Sequence, residues 1–140
     1  MNQKKIAAAI DGSEYSDKVL EKAIEFAQLL DAAVVLIYCH RRFPKILGQP
    51  HRDHIISEIM DETDAVVAPF LQKLSDSGVE VIERFMEEPA GTMISEVAER
   101  EKCEMIVMGS RGLSDIEGLL IGSVAHKVLH IAKCPVLVVR

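Results

Sequence analysis

The sequence contains no run of about 18 apolar residues, the length a membrane-spanning helix needs, so no span is expected. The first residues lead into five apolar ones, Ile6 to Ile10, before Asp11. That is shorter than the apolar core of a secretory signal, about 7–15 residues. Cysteine is scarce: Cys39, Cys103 and Cys134 are odd in number and far apart. This excludes a disulfide framework and a C-x-x-C metal pair, and points to reduced, mostly buried thiols in a cytoplasmic protein. Basic residues are outnumbered, 16 against 22 acidic ones, for a net charge of −6. An acidic whole argues against nucleic-acid coating. Neither the dinucleotide fingerprint GxGxxG nor the P-loop GxxxxGK followed by Ser or Thr is present. No nucleophile elbow, paired-carboxylate motif or Ser/His/Asp spacing occurs either.

What is present is ordinary globular material, 140 residues with 49% apolar and 27% charged. The length fits one domain, residues 1–140, able to bury about two thirds of its unfolded surface without a metal or disulfide staple. Five apolar segments read as strands: Ile6 to Ile10, Val34 to Cys39, Val79 to Phe85, Met105 to Met108 and Val136 to Val139. Four are nearly continuous, as strands covered on both faces are. The third is mixed with charge and suits a sheet edge.

Helical stripes separate these strands. Leu20, Ala23, Ile24, Ala27 and Leu30 follow two candidate N-caps, Ser13 and Ser16. Ile56, Met60, Thr63, Val67, Phe70 and Leu74 make a long second stripe, closed by Gly78, with Pro69 inside it as an expected kink or break. Ile94, Val97 and Ala98 follow Pro89, and Leu120, Val124, Val128 and Ile131 precede Pro135. Strand–helix alternation closed by a strand predicts an α/β fold with a parallel sheet and right-handed crossovers.

Four of the eight glycines fall between Gly109 and Gly122, where the fourth strand gives way to the fourth helix. Glycines let a backbone approach a ligand closely, and a helix start favours phosphate. The alternative is a structural loop whose glycines only serve turns. Asp11-Gly12-Ser13 directly follows the first strand. With that strand central, Asp11 and Gly109 face one crevice where the strand order reverses. A carboxylate there suits ribose hydroxyls or a bridging Mg²⁺, or else caps the first helix.

Three parts of the chain carry a resemblance: Ile10-Asp11-Gly12-Ser13, the G-x2-G-x9-G-S spacing from Gly109 to Ser123, and the closing Cys134-Pro135-Val136-Leu137-Val138-Val139. The chain resembles a universal stress protein domain along essentially its whole length, and the glycine spacing resembles that family's ATP-binding branch. The resemblance implies an open five-stranded parallel sheet in order 3-2-1-4-5 with helices on both faces, a Rossmann-like fold of the adenine-nucleotide alpha-hydrolase type. It also implies a homodimer through Val136 to Val139. It places Asp11 near ribose and phosphates, with Mg²⁺ carried by the nucleotide. Gly109, Ser110, Arg111 and Gly112 would wrap the ribose-phosphate side, and Gly122 and Ser123 the phosphates. Ile10, Met108 and Val124 complete the implied nucleotide site. Cys39 stands where the family commonly has valine beside the adenine, and Ala9 where some ATP-binding members have proline.

Other groupings are weaker. His40 to Arg52 holds Arg41, Arg42, Lys45 and Arg52 and no acidic residue, which suits a solvated loop or a basic flap over a triphosphate. His51 with His54, and His126 with His130, have the spacing of paired metal ligands but lack a third. The expected function is ATP binding (or ADP or AMP) by a regulatory, stress-response switch. A slow ATPase on the same site and a nucleotide-independent dimeric module are the alternatives. No residue clearly orients a water, so weak hydrolysis is the most that is expected.

Overall fold

The computed structural model describes residues 3–113, 118 and 120–140. Its elements are β1 (Lys5–Ile10), α1 (Tyr15–Leu30), β2 (Ala33–His40), α2 (His51–Ser77), β3 (Val81–Glu87), α3 (Ala90–Arg100), β4 (Met105–Gly109), α4 (Ser123–Ile131) and β5 (Val136–Val139). Among the described residues they form one five-stranded sheet of order β3-β2-β1-β4-β5, every neighbouring pair parallel. This is the expected order. No described helix is long and apolar enough to cross a membrane.

Side chains alternate across a strand, and that alternation divides the core. Ile6, Ala8 and Ile10 of β1 join Val34 and Leu36 of β2 under α1 and α2, through Leu20, Ala23, Val67, Phe70 and Leu74. Ala7 and Ala9 join Val35 and Ile37 under α3 and α4, through Ile94, Val97, Ala125 and Val128. Helices therefore cover both faces. The edge strand β3 has no fully buried residue. It starts two residues later than its apolar pattern suggests: Val79 and Glu80 lie between Gly78 and the strand, with the Val79 N–H donating to the Ser77 hydroxyl at 3.3 Å and the Glu80 carbonyl accepting the Val34 N–H at 2.8 Å.

Three helical expectations need correction. α2 runs unbroken through Pro69. Pro69 and Ala65, the residue whose carbonyl loses its partner, are both exposed, so water can take that carbonyl while Val67, Phe70 and Leu74 hold the helix to the sheet. Toward the start of α2 the buried position is Ile59; Ile56 and Met60 are half-buried. Leu120 precedes α4 and is exposed, so the last stripe begins at Val124.

At the N-terminal ends of the strands, Glu101 holds two elements at once. Its Oε2 accepts from Lys5 Nζ at 2.9 Å, and its Oε1 from Arg84 Nη2 at 2.6 Å and Nε at 3.0 Å. These bonds tie the start of β1 and the middle of β3 to the end of α3, across β2. The Lys5 bond, then that of Arg84, lowers the Glu101 pKa. A lowered carboxylate pKa gives stability that is full above the unfolded value and is lost as pH falls through the folded one. Glu101→Gln is expected to cost on the order of 1 kcal/mol at pH 7 in urea denaturation. It should also show a shallower loss of stability than the parent below the ordinary glutamate range. Parallel acid limbs for the two proteins would contradict the clamp.

Candidate functional site

β1 and β4 are adjacent, yet the chain leaves β1 toward β2 and leaves β4 toward β5. Their C-terminal ends diverge into two loops, the position where open parallel sheets bind ligands. A crevice open to solvent lies there. Its apolar lining includes Ala9, Ile10, Val19, Ile37, Cys39, Ile94, Met108 and Val124, and its polar lining Asp11, Ser13, Tyr15, Ser16 and Arg111.

The first loop is built on hydrogen bonds within itself. Asp11 Oδ1 accepts from the Ser13 N–H at 2.8 Å and the Ser16 hydroxyl at 3.2 Å. Ser16 Oγ in turn accepts from the N–H groups of Asp11 and Gly12, each at 3.1 Å. Gly12 has φ of 84°, a left-handed conformation that favours glycine. Asp11 Oδ2 reaches across to accept the Leu113 N–H at 3.1 Å, joining the β1–α1 loop to the β4–α4 loop. Three donors thus hold a carboxylate with about four lone-pair sites. Ser13 and Ser16 are not N-caps: the cap position is Glu14, with no side-chain cap bond, and Ser16 lies inside α1. The Ser13 hydroxyl oxygen is buried without a partner among the described residues.

The second loop runs close to α1. A Cβ on Gly109 would sit 2.8 Å from Tyr15 Cβ and 3.1 Å from the Arg111 carbonyl, so only glycine fits that approach. Ser110 is 3% exposed. Its N–H donates to the Val139 carbonyl at 2.7 Å, and its carbonyl accepts the Gly122 N–H at 2.6 Å. Gly122 caps α4 in an extended conformation and accepts the His126 N–H at 2.9 Å. Of the nine-residue spacer between Gly112 and Gly122, residues 114–117 and 119 lie outside the described residues.

Nine of the twelve expected site residues line the crevice: Ala9, Ile10, Asp11, Cys39, Met108, Gly109, Arg111, Gly112 and Val124. Ser110, Gly122 and Ser123 are not among its lining, and the N–H of Gly122, a residue expected beside the phosphates, is used by Ser110. Sequence reasoning missed Tyr15, Ser16 and Val19 from α1, and Ala90, Ile94 and Ala125 from α3 and α4. Tyr15 and Val19 follow Asp11 at successive spacings of four, a helical signal that was available. The basic loop contributes nothing to the lining: Arg41 pairs with Glu62 at 3.2 Å, and Arg52 Nε donates to the Pro44 carbonyl at 2.9 Å.

Burial, and next the charge of Glu88, pushes the Cys39 thiol up to about 12. Cys39 is therefore a neutral, weakly polar lining group at physiological pH. His126 and His130 stack at 6.4 Å on the exposed side of α4, and the described residues hold no group of three metal-ligating side chains.

Comparison with known proteins agrees with this architecture. The model of the universal stress protein family matches residues 2–140. The chain belongs to the universal stress protein family. It is 36% identical over 140 residues to universal stress protein MJ0531 of Methanocaldococcus jannaschii, covering 98% of this chain and 82% of that one. Hypothetical protein MJ0577, whose solved structure served for an assignment of biochemical function, matches with a TM-score of 0.86 at 25% identity, covering 99% of this chain and 96% of that one. A universal stress protein solved in complex with cAMP matches with a TM-score of 0.71 at 23% identity, covering 100% and 98%.

The two serines that frame the first turn of α1 make opposite predictions. Ser16→Ala removes a hydroxyl that makes three hydrogen bonds and should cost about 1–3 kcal/mol. Ser13→Ala removes a buried hydroxyl without a partner among the described residues and should leave stability unchanged or raise it by about 1 kcal/mol. Chemical denaturation of both variants checks this, and an equal loss in the two would contradict the hydrogen-bond pattern.

Proposed function

We propose that this universal stress protein binds an adenine nucleotide, ATP foremost, in the crevice between β1 and β4, and acts as a nucleotide-dependent switch in a stress response. The observation that carries the reading is the crevice itself. It sits at the reversal of strand order, with an apolar lining from Ala9, Ile10, Ile37, Cys39 and Met108 that suits a flat base. Asp11 on one loop and Arg111 on the other offer a hydroxyl acceptor and a phosphate-binding cation. That a protein of this fold holds cAMP supports the same ligand class.

Asp11 also limits the role of metal. Among the described residues it is the one carboxylate of the crevice lining, and three donors already engage it. This fits Mg²⁺ held chiefly by nucleotide phosphates and water, with at most one protein ligand. The same engagement makes Asp11 a poor general base, so binding without turnover is the reading adopted. We further infer that β5, an edge strand of four half-buried apolar residues, pairs with a second copy of the chain, which would cover its unpaired backbone groups.

Isothermal titration with ATP and Mg²⁺ should show one saturable site per chain. Cys39→Trp fills the apolar side of the crevice and should weaken binding by about tenfold or more. Unchanged affinity in a folded Cys39→Trp would move the site elsewhere, and no binding by the parent would end the reading. Sedimentation equilibrium should give a dimer mass.

A further inference from the structure

The described residues place two formally charged side chains in the crevice lining, and the fold treats them differently. Asp11 is taken up by three donors that close the loops around it. Arg111 instead donates from Nε at 3.2 Å and from Nη2 at 2.8 Å to one acceptor, the phenol oxygen of Tyr15. Its Cζ lies 5.8 Å from the centre of the same ring. Tyr15 opens α1 on one side of the crevice, and Arg111 follows Gly109 on the other, so this pair is a second bridge between the two loops. The close approach at Gly109 packs the Tyr15 side chain against the very segment that carries Arg111.

The choice of acceptor matters. A carboxylate in that place would orient the guanidinium and also neutralise it. A phenol orients it and leaves its charge for a ligand. Because Nε and Nη2 share one oxygen, the edge formed by Nη1 and Nη2 is the fork that matches two oxygens of a phosphate. A lysine has no such geometry.

We propose that Tyr15 is a specificity-determining residue: by positioning Arg111 it makes the crevice prefer nucleoside phosphates to the corresponding nucleosides. The inference rests on the reading of the crevice as an adenine-nucleotide site. It assigns selection for the charged end of the ligand to a side chain outside the glycine motif.

The test is isothermal titration of AMP and of adenosine into the parent protein, Tyr15→Phe, Arg111→Ala and the double variant. The parent should bind AMP more tightly than adenosine. Tyr15→Phe deletes one oxygen and keeps the ring against Gly109. It should weaken AMP by about five- to tenfold, the size of a lost charge-assisted hydrogen bond, and leave adenosine within about twofold. In the double variant the loss should be no greater than in Arg111→Ala, because Tyr15 acts through the arginine. Tyr15→Leu, which also lacks the oxygen, should lower the AMP-to-adenosine ratio in the same way. An unchanged ratio in Tyr15→Phe overturns the proposal, as do additive losses. Equal binding of AMP and adenosine by the parent overturns it alone, whereas binding of neither overturns the nucleotide reading beneath it.

Discussion

Strand β1 is hydrogen-bonded along both edges, and most of the molecule follows from that. Ile6, Ala7 and Ala8 pair with Val34, Val35 and Leu36 of β2 on one side and with Met105, Ile106 and Val107 of β4 on the other. A strand in that position is sealed on its faces as well, so it is apolar from Ile6 to Ile10. Its three central alanines are small enough for helices to cover both sides, and β1 supplies residues to both halves of the core. The chain can leave its far end in one direction only. The loop returning from β4 leaves in the other, and the crevice is the gap between these departures.

A gap of that kind exposes polar backbone, and five of its N–H groups among the described residues are bonded internally. The N–H groups of Ser13 and Leu113 go to Asp11, those of Asp11 and Gly12 to Ser16, and that of Gly122 to Ser110. The loops are thereby pre-shaped, which reduces the ordering cost of binding. Among the described residues, the Gly122 N–H at the start of α4 is already engaged by the Ser110 carbonyl. In the proposed reading, recognition of charge falls on Arg111, in a molecule of net charge −6. Overall acidity does not oppose an anionic ligand when one oriented cation sits where the ligand binds.

This division also explains what was legible in the sequence. The strands were plain because parallel strands buried on both faces read as unbroken apolar runs, and β3 was plain as an edge because Glu83 and Arg84 interrupt it. Asp11 and the Gly109 loop were legible because their neighbours in sequence are their neighbours in space. Ala90, Ile94 and Ala125 were not, since helical periodicity says which side of a helix is apolar but not which sheet face it covers. Pro69 misled because the rule against helical proline assumes a carbonyl without solvent. The bond from the Gly122 N–H to the Ser110 carbonyl was not legible, because periodicity does not show which carbonyl a loop brings to a helix start.

The two ends of the sheet are fastened in different ways, and this bears on how occupancy of the crevice reaches the surface. At the start of β1, Lys5 is held by Glu101, just past the end of α3. At its far end, Asp11 is held by Ser16 and Leu113. Strand β1 is therefore pinned at both ends and is a poor carrier of motion. The connections from the crevice to the molecule's edge run instead through the second loop. Arg111 is covalently next to Ser110, whose N–H is bonded to Val139 of β5 and whose carbonyl is bonded to the cap of α4. A ligand that draws on Arg111 acts one residue away from both the exposed edge strand and the helix beside it. If the edge pairs with a second copy, the site and the interface share a single peptide segment.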